Sequence, residues 1–142
     1  MSNLNDEEQI KDKMRFLLED TMEAYNSQNR SVSYYEDDEG NPTKEEMECI
    51  YRSDDGRKCA IGRWFPEDND IFESIIKGNR GIDVLTKKEL EALYSIEEFN
   101  GVSESFLKAI QDLHDVPENW DLNGLTLRGR EKSQEIIKEF SL

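Results

Sequence analysis

Thiols and imidazoles are scarce in this chain. Its 142 residues include two cysteines and one histidine. That set cannot complete a four-ligand zinc site of the Cys/His kind, and neither a metal nor a cofactor is expected. No apolar run approaches the ~18 residues that a membrane span needs, so no membrane association is expected. The opening "MSNLNDEEQ" has neither a basic nor an apolar signal-peptide region. The expectation is a cytoplasmic protein in which Cys49 and Cys59 are both free thiols. Lys and Arg number 18 against 33 Asp and Glu, a formal net charge of −15. Phosphate contacts need a basic face, so direct nucleic-acid binding is not expected. The charge suits a basic partner, or mimicry of nucleic acid. The plainer alternative is that it keeps a small protein soluble.

What is present reads as one folded domain over residues 1–142, with the first few residues loose. Aromatic residues are spread along the chain, and the apolar residues are periodic. Ile10, Met14, Leu17, Leu18, Thr21 and Tyr25 fall on one face of a helix capped by Asn5 or Asp6. "SVSYY" alternates weakly, as a short strand does, and "EDDEGNPTKEE" reads as an acidic loop with a Gly-Asn-Pro turn. After Pro66, Ile71, Phe72, Ile75 and Ile76 mark a short helix stopped by Gly78. Thr86 and Glu89 form a capping-box signature ahead of Leu90, Leu93 and Tyr94. Phe106, Leu107, Ile110 and Leu113 lie on a further helix, ended by Pro117. Trp120 is expected to plug the core. A last helix presents Ile136, Ile137 and Phe140, with Gly129 weakening its first turns. The fold class is therefore α+β: a mainly helical single domain with a small antiparallel β-hairpin or sheet.

That hairpin is expected at about residues 47–63, where "MECIYR" and "KCAIGRW" flank "SDDG". Charge singles out the same block. Residues 1–48 carry five cations and fourteen anions, and residues 64–142 carry nine and seventeen. Residues 49–63 carry four cations and two anions, the only positive stretch. Strand alternation puts Arg57, Cys59 and Ile61 on one face and Lys58, Ala60 and Gly62 on the other. With a two-residue Asp55-Gly56 turn, Arg52 faces Cys59. A three-residue loop with a bulge shifts that register. Neither places Cys49 directly opposite Cys59, so a disulfide is disfavoured. Small residues beside cations leave backbone open to a phosphate or carboxylate. Arg52, Arg57, Lys58, Arg63 and the stacking surface of Trp64 are the candidate ligand-binding residues. The competing reading pairs these cations with the protein's own surplus carboxylates. Cys59, beside Ile61, is expected in the core.

An enzymatic alternative uses Cys59 as nucleophile and His114 as base, if the fold brings them together. His114 sits in "IQDLHDVPENW", beside Asp115, but adjacent helix residues point apart. The alternative role for His114 is to face the C-terminal dipole of its helix.

"CIYRSDDGRKCAIGRWFPED" resembles a segment of small bacteriophage and prophage proteins. They carry a Cys-x-Tyr element, a Gly-Lys-Cys-Ala-Val/Ile-Gly-like run and an Ile-Pro-Asp-like turn. The matching positions are Cys49, Tyr51, Arg52, Gly56, Lys58, Cys59, Ala60, Ile61, Gly62 and Pro66. "IQDLHD" and the tryptophan after it also fit, so the resemblance spans about residues 45–125. The chain departs from the pattern at Arg63 and Trp64-Phe65. The resemblance implies a phage-type accessory protein in a bacterial cytoplasm and carries no activity with it. The expected function is non-enzymatic binding. Either the acidic surface inhibits a host defence or nucleic-acid-processing protein through that protein's basic surface, or the hairpin sequesters a small anionic ligand such as a nucleotide. A third alternative is a structural or assembly protein. The sequence leaves the oligomeric state open.

Overall fold

The computed structural model describes residues 3–53 and 56–142. Its first helix, α1, spans Asn3–Ala24 and so begins upstream of the expected cap. The looseness expected at the extreme N-terminus falls on Met1 and Ser2, outside the described residues. Met14, Leu17, Leu18 and Thr21 are buried on one face of α1, and Tyr25 is buried just beyond its end. Asp12, Glu19 and Glu23 are exposed on the other. The buried stripe packs on α4, Glu104–Asp115, which also contacts α5, Leu127–Glu139. Two shorter helices, α2 (Asp70–Gly78) and α3 (Lys87–Tyr94), pack on each other at the side. Phe106, Leu107 and Ile110 of α4 lie at the centre of the core. Fully burying each contributes roughly 1.5–3 kcal/mol. An exposed pair such as Lys108–Asp112 contributes about 0.3–0.5 kcal/mol. Packing of the apolar stripe therefore places α4, and its surface charges do not.

The helix starts follow local chemistry. Thr86 Oγ1 accepts from the Glu89 backbone N–H, and the Glu89 carboxylate accepts from the Thr86 N–H. These bonds and Arg80 hold the Glu89 carboxyl below its ordinary range, although its burial pulls the other way. Asn69, Ser103 and Thr126 cap α2, α4 and α5. Gly129, expected to weaken the first turns of α5, also has a packing role. A Cβ there would lie 2.3 Å from the Asn119 carbonyl oxygen, so glycine lets α5 dock closely on the preceding turn.

Among the described residues the fold is α+β and mainly helical, a single domain with small antiparallel sheets. The main hairpin is not the one expected at 47–63. Strand β1, Val32–Glu36, pairs with β2, Pro42–Cys49. Val32 stands opposite Cys49 and Glu36 opposite Pro42, with two register shifts between. Residues 42–46, read as part of an acidic loop with a Gly-Asn-Pro turn, belong to β2, although glutamate and lysine are weak strand formers. The turn explains the choice. Asp37 Oδ1 accepts from the Glu39 and Asn41 N–H groups, and Gly40 takes φ +83°. Asp37 N–H and the Asn41 carbonyl close the loop at 2.8 Å. Around "SDDG" the pairing shrinks to a single bridge, Arg52 to Lys58. Of the expected Asp55-Gly56 turn, Asp55 lies outside the described residues, while Gly56 takes φ +92° and its N–H donates to the Ser53 carbonyl at 3.1 Å. Beyond the bridge the chain coils into a 3-10 turn, Gly62–Trp64. A second ribbon, absent from the sequence reading, joins β3 (Trp120–Asp121) to β4 (Gly124–Leu125).

Arg30 ties these parts together. It is 1% exposed. Its Nε donates to the His114 carbonyl at 2.7 Å and its Nη2 to the Asp115 carbonyl at 2.7 Å. The Leu113 carbonyl accepts from Asn119 Nδ2 and from Trp120 Nε1. Three successive orphan carbonyls of α4 are thus met by side chains, and the guanidinium opposes the negative end of the helix dipole. Replacing Arg30 with methionine is expected to lower unfolding free energy by about 3 kcal/mol, read by urea denaturation. Arg30→Lys should recover only part of that, because an ammonium lacks the fork that spans two carbonyls. An unchanged midpoint in both variants would contradict this account of the cap.

Candidate functional site

The cations of residues 52–63 do not form the hairpin face that strand alternation predicts. Cys59, Ala60, Ile61 and Gly62 are all buried, which a strand with alternating faces would not allow. Arg52 donates through Nε to the Gly62 carbonyl at 3.2 Å and lies 3.4 Å from Glu67. Lys58 Nζ approaches the same Glu67 carboxylate at 3.8 Å. Arg57 Nη1 donates to the Arg30 carbonyl at 2.8 Å. Arg63 Nη1 stands 3.2 Å from Asp20 Oδ2 on α1, with its guanidinium 5.8 Å from the ring centres of both Tyr25 and Trp64. Trp64 is half-buried, its ring 5.8 Å from that of Phe16.

Three of the candidates still meet. Arg57, Lys58 and Arg63 border a shallow depression of about 470 Å³, walled by Tyr25 and Asn29. Arg52 and Trp64 are not among its lining residues. Tyr25 donates through its hydroxyl to the Lys58 carbonyl at 2.6 Å. Burial pushes the Tyr25 hydroxyl above its ordinary pKa, so it stays a donor there.

Gly62 has a different meaning from the one its size suggested. A Cβ there would lie 2.2 Å from the Tyr51 carbonyl oxygen. The backbone that approaches Gly62 is the protein's own, and no anion has room on that side. Tyr51 is itself buried, and its hydroxyl donates to the Arg80 carbonyl at 2.7 Å.

The Cys59/His114 pairing is not formed. Cys59 is a free thiol, 0% exposed, and its Sγ accepts from the Gly62 N–H at 3.1 Å. Burial pushes the thiol up to about 12, against the pull of that backbone bond. A protonated, water-excluded thiol is no nucleophile. The side chain of Cys49 lies outside the described residues.

His114 does meet Asp115, contrary to the rule for adjacent helix residues. Its Nδ1 is 2.8 Å from Asp115 Oδ1, because α4 ends there and the last side chain is free to fold back. Ser31, His114 and Asp115 have the composition of a hydrolytic triad but not its geometry. The Ser31 backbone N–H, not its hydroxyl, meets His114 Nε2 at 3.4 Å. Ser31 and His114 are both fully buried, out of reach of a substrate. Arg30 meets the end of α4, and His114 stands in its last turn. Among the described residues no three His, Cys, Asp or Glu side chains converge as a metal ion requires. Nor does any helix among them have the length and apolar character to cross a membrane.

A cavity of about 350 Å³ between α4 and α5 has no counterpart in the sequence reading. Ala109, Leu113, Val116 and Ile136 supply its apolar surface. Asp112 and Asp115 rim it from α4, and Glu135 and Glu139 from α5. Partial desolvation raises the Asp112 carboxyl above its usual pKa, opposed by Lys108 and reinforced by Asp115 and Asp83. The available signal was the spacing of carboxylates one helical turn apart on two helices, which by itself reads as solvated surface.

No protein-family model, curated protein or solved structure matches the chain.

Two outcomes test this geometry. Gly62→Ala should cost about 2 kcal/mol of stability, seen as a lower melting temperature, because the Tyr51 backbone must move. Native protein treated with iodoacetamide should leave Cys59 unmodified in peptide mass spectrometry, with complete labelling after unfolding. Rapid native labelling would return Cys59 to candidacy as a nucleophile.

Proposed function

We propose that this chain is a non-enzymatic binding protein whose acidic helical surface engages a basic partner protein. The disposition of charge carries the proposal. Each of the four candidate cations at 52–63 is bonded or paired to an acceptor of the protein itself. The carboxylates outnumber those cations and stand outward, as Asp12, Glu19 and Glu23 on α1 and Glu131, Glu135 and Glu139 on α5. A field of one sign over a surface attracts a partner of the other.

The resemblance to phage proteins sets this activity in a bacterial cytoplasm. The partner is then a host defence or nucleic-acid-processing protein, whose basic groove the acidic surface occupies in place of nucleic acid. The burial of Cys59 and the geometry of His114 weigh against the enzymatic alternative. A second reading has one observation behind it. Arg57, Lys58 and Arg63 border a common depression, which suits a small anionic ligand such as a nucleotide.

The test is affinity capture from bacterial cells, with mass spectrometry of what is retained. Captured proteins should be basic, and retention should fall about tenfold or more between about 50 mM and about 500 mM salt, where the screening length shrinks several-fold. Salt-insensitive capture of acidic or neutral proteins would overturn the proposal. Thermal stabilisation by ATP that is lost in Lys58→Ala and Arg63→Ala would move the function to the depression. A stable higher oligomer in light scattering, with no retained partner, would favour the assembly role.

A further inference from the structure

We infer that the cavity between α4 and α5 is a socket for a lysine or arginine side chain of the basic partner. The inference deepens the function proposed above and rests on it. A long cationic side chain is apolar along its stem and charged at its tip. The cavity repeats that division. Leu113, Val116 and Ile136 offer the stem an apolar wall, and Asp112, Glu135 and Glu139, with Asp115 that His114 already holds, add carboxylates to the lining. Its ~350 Å³ lies at the small end of the ~300–1,000 Å³ that ligand pockets span, a size for one side chain rather than a nucleotide. Four carboxylates at the mouth exclude an anion in any case.

Two further observations call for a donor. Asn119 lines the cavity, and its Oδ1, closed off from solvent, has no hydrogen-bond partner, so a donor meets it once the side chain turns. Partial desolvation of the exposed Asp112 carboxylate, with Asp115 and Asp83 nearby, disfavours its ionised form against the pull of Lys108 at 3.9 Å, and a closer cation relieves that penalty. The cation already at the rim does not fill the role. Lys132 Nζ bonds Glu135 on its own helix at 3.3 Å, in an exposed pair that contributes little. Such a pair yields readily to a desolvated cation held by several carboxylates.

The test uses the full chain and a synthetic amphipathic peptide with arginine and leucine on one helical face. A second peptide replaces each arginine with citrulline, which keeps the shape and removes the charge. Backbone NMR titration should move resonances at residues 109–119 and 132–139. Affinity should drop about tenfold in a Glu135→Gln/Glu139→Gln variant and with the citrulline peptide. Both glutamates are exposed, so the variant should keep the wild-type melting temperature and spectrum. Arginine-peptide binding centred on α1, and unchanged in the variant, would overturn the socket and leave the acidic-surface function standing. Citrulline binding as tight as arginine binding would make the cavity an apolar groove and overturn the cationic assignment. No binding of the arginine peptide at low salt would overturn both the socket and the function beneath it.

Discussion

A buried guanidinium at the end of α4 is the constraint on which the rest of the molecule depends. Helix α4 lies between α1 and α5, and its last carbonyls are covered by other parts of the chain. Covered carbonyls need donors, and each one left without a donor costs about 1–3 kcal/mol. Arg30 supplies two bonds, and Asn119 and Trp120 supply the others. The supply fixes more than the helix end. Arg30 is the second residue before β1, so the hairpin springs from the cap. Its own carbonyl accepts from Arg57, so the loop after the Arg52–Lys58 bridge is tied to the same point. Asn119 and Trp120 fold back over the end of α4, and Gly129 lets α5 dock on that fold. The walls of the α4–α5 cavity are set by these contacts.

The same economy explains why a positive stretch of sequence is not a positive surface. Tyr51, Cys59, Ala60, Ile61 and Phe65 anchor this part of the chain in the interior, all buried. Cations flanking such a segment lie close to buried backbone oxygens and to the carboxylates of neighbouring elements. Arg52 meets the Gly62 carbonyl, Arg57 the Arg30 carbonyl and Arg63 the Asp20 carboxylate. A charge spent on an internal acceptor adds little to the outer field. Carboxylates on the helices have no such neighbours in number, and they set the sign of the surface. In that setting an apolar cavity rimmed by four of them is a place where shape and charge ask for the same occupant.

Much of the fold was legible because its signals are local. The α1 stripe from Met14 to Tyr25, the Thr86–Glu89 capping box, the helix from Ser103 and the burial of Trp120 each follow from spacing or from a cap within a few residues. The hairpin was misplaced because two turn signals competed. The "SDDG" stretch has the stronger dipeptide. The Asp37–Asn41 loop has the side-chain bonds and the left-handed Gly40 that close a hairpin on strands whose composition argues against them. The packing roles of Gly62 and Gly129 were missed for a related reason. Their small size answers to backbone from distant residues, which no window of sequence contains.

By itself the sequence determined the helical character, the apolar stripes that make the core, the caps that start the helices and the excess of negative charge. These depend on residue type and on periods of a few residues. Only the tertiary structure decided where charge and chemistry meet. It paired the cations of 52–63 with acceptors of the protein itself, gave Cys59 and His114 separate hydrogen-bond partners, placed Arg30 under the end of α4 and brought Asp112, Asp115, Glu135 and Glu139 to one cavity. Those relations join residues far apart along the chain. Their energies come from burial and from hydrogen bonds in a water-poor interior, quantities that exist only once the chain has folded.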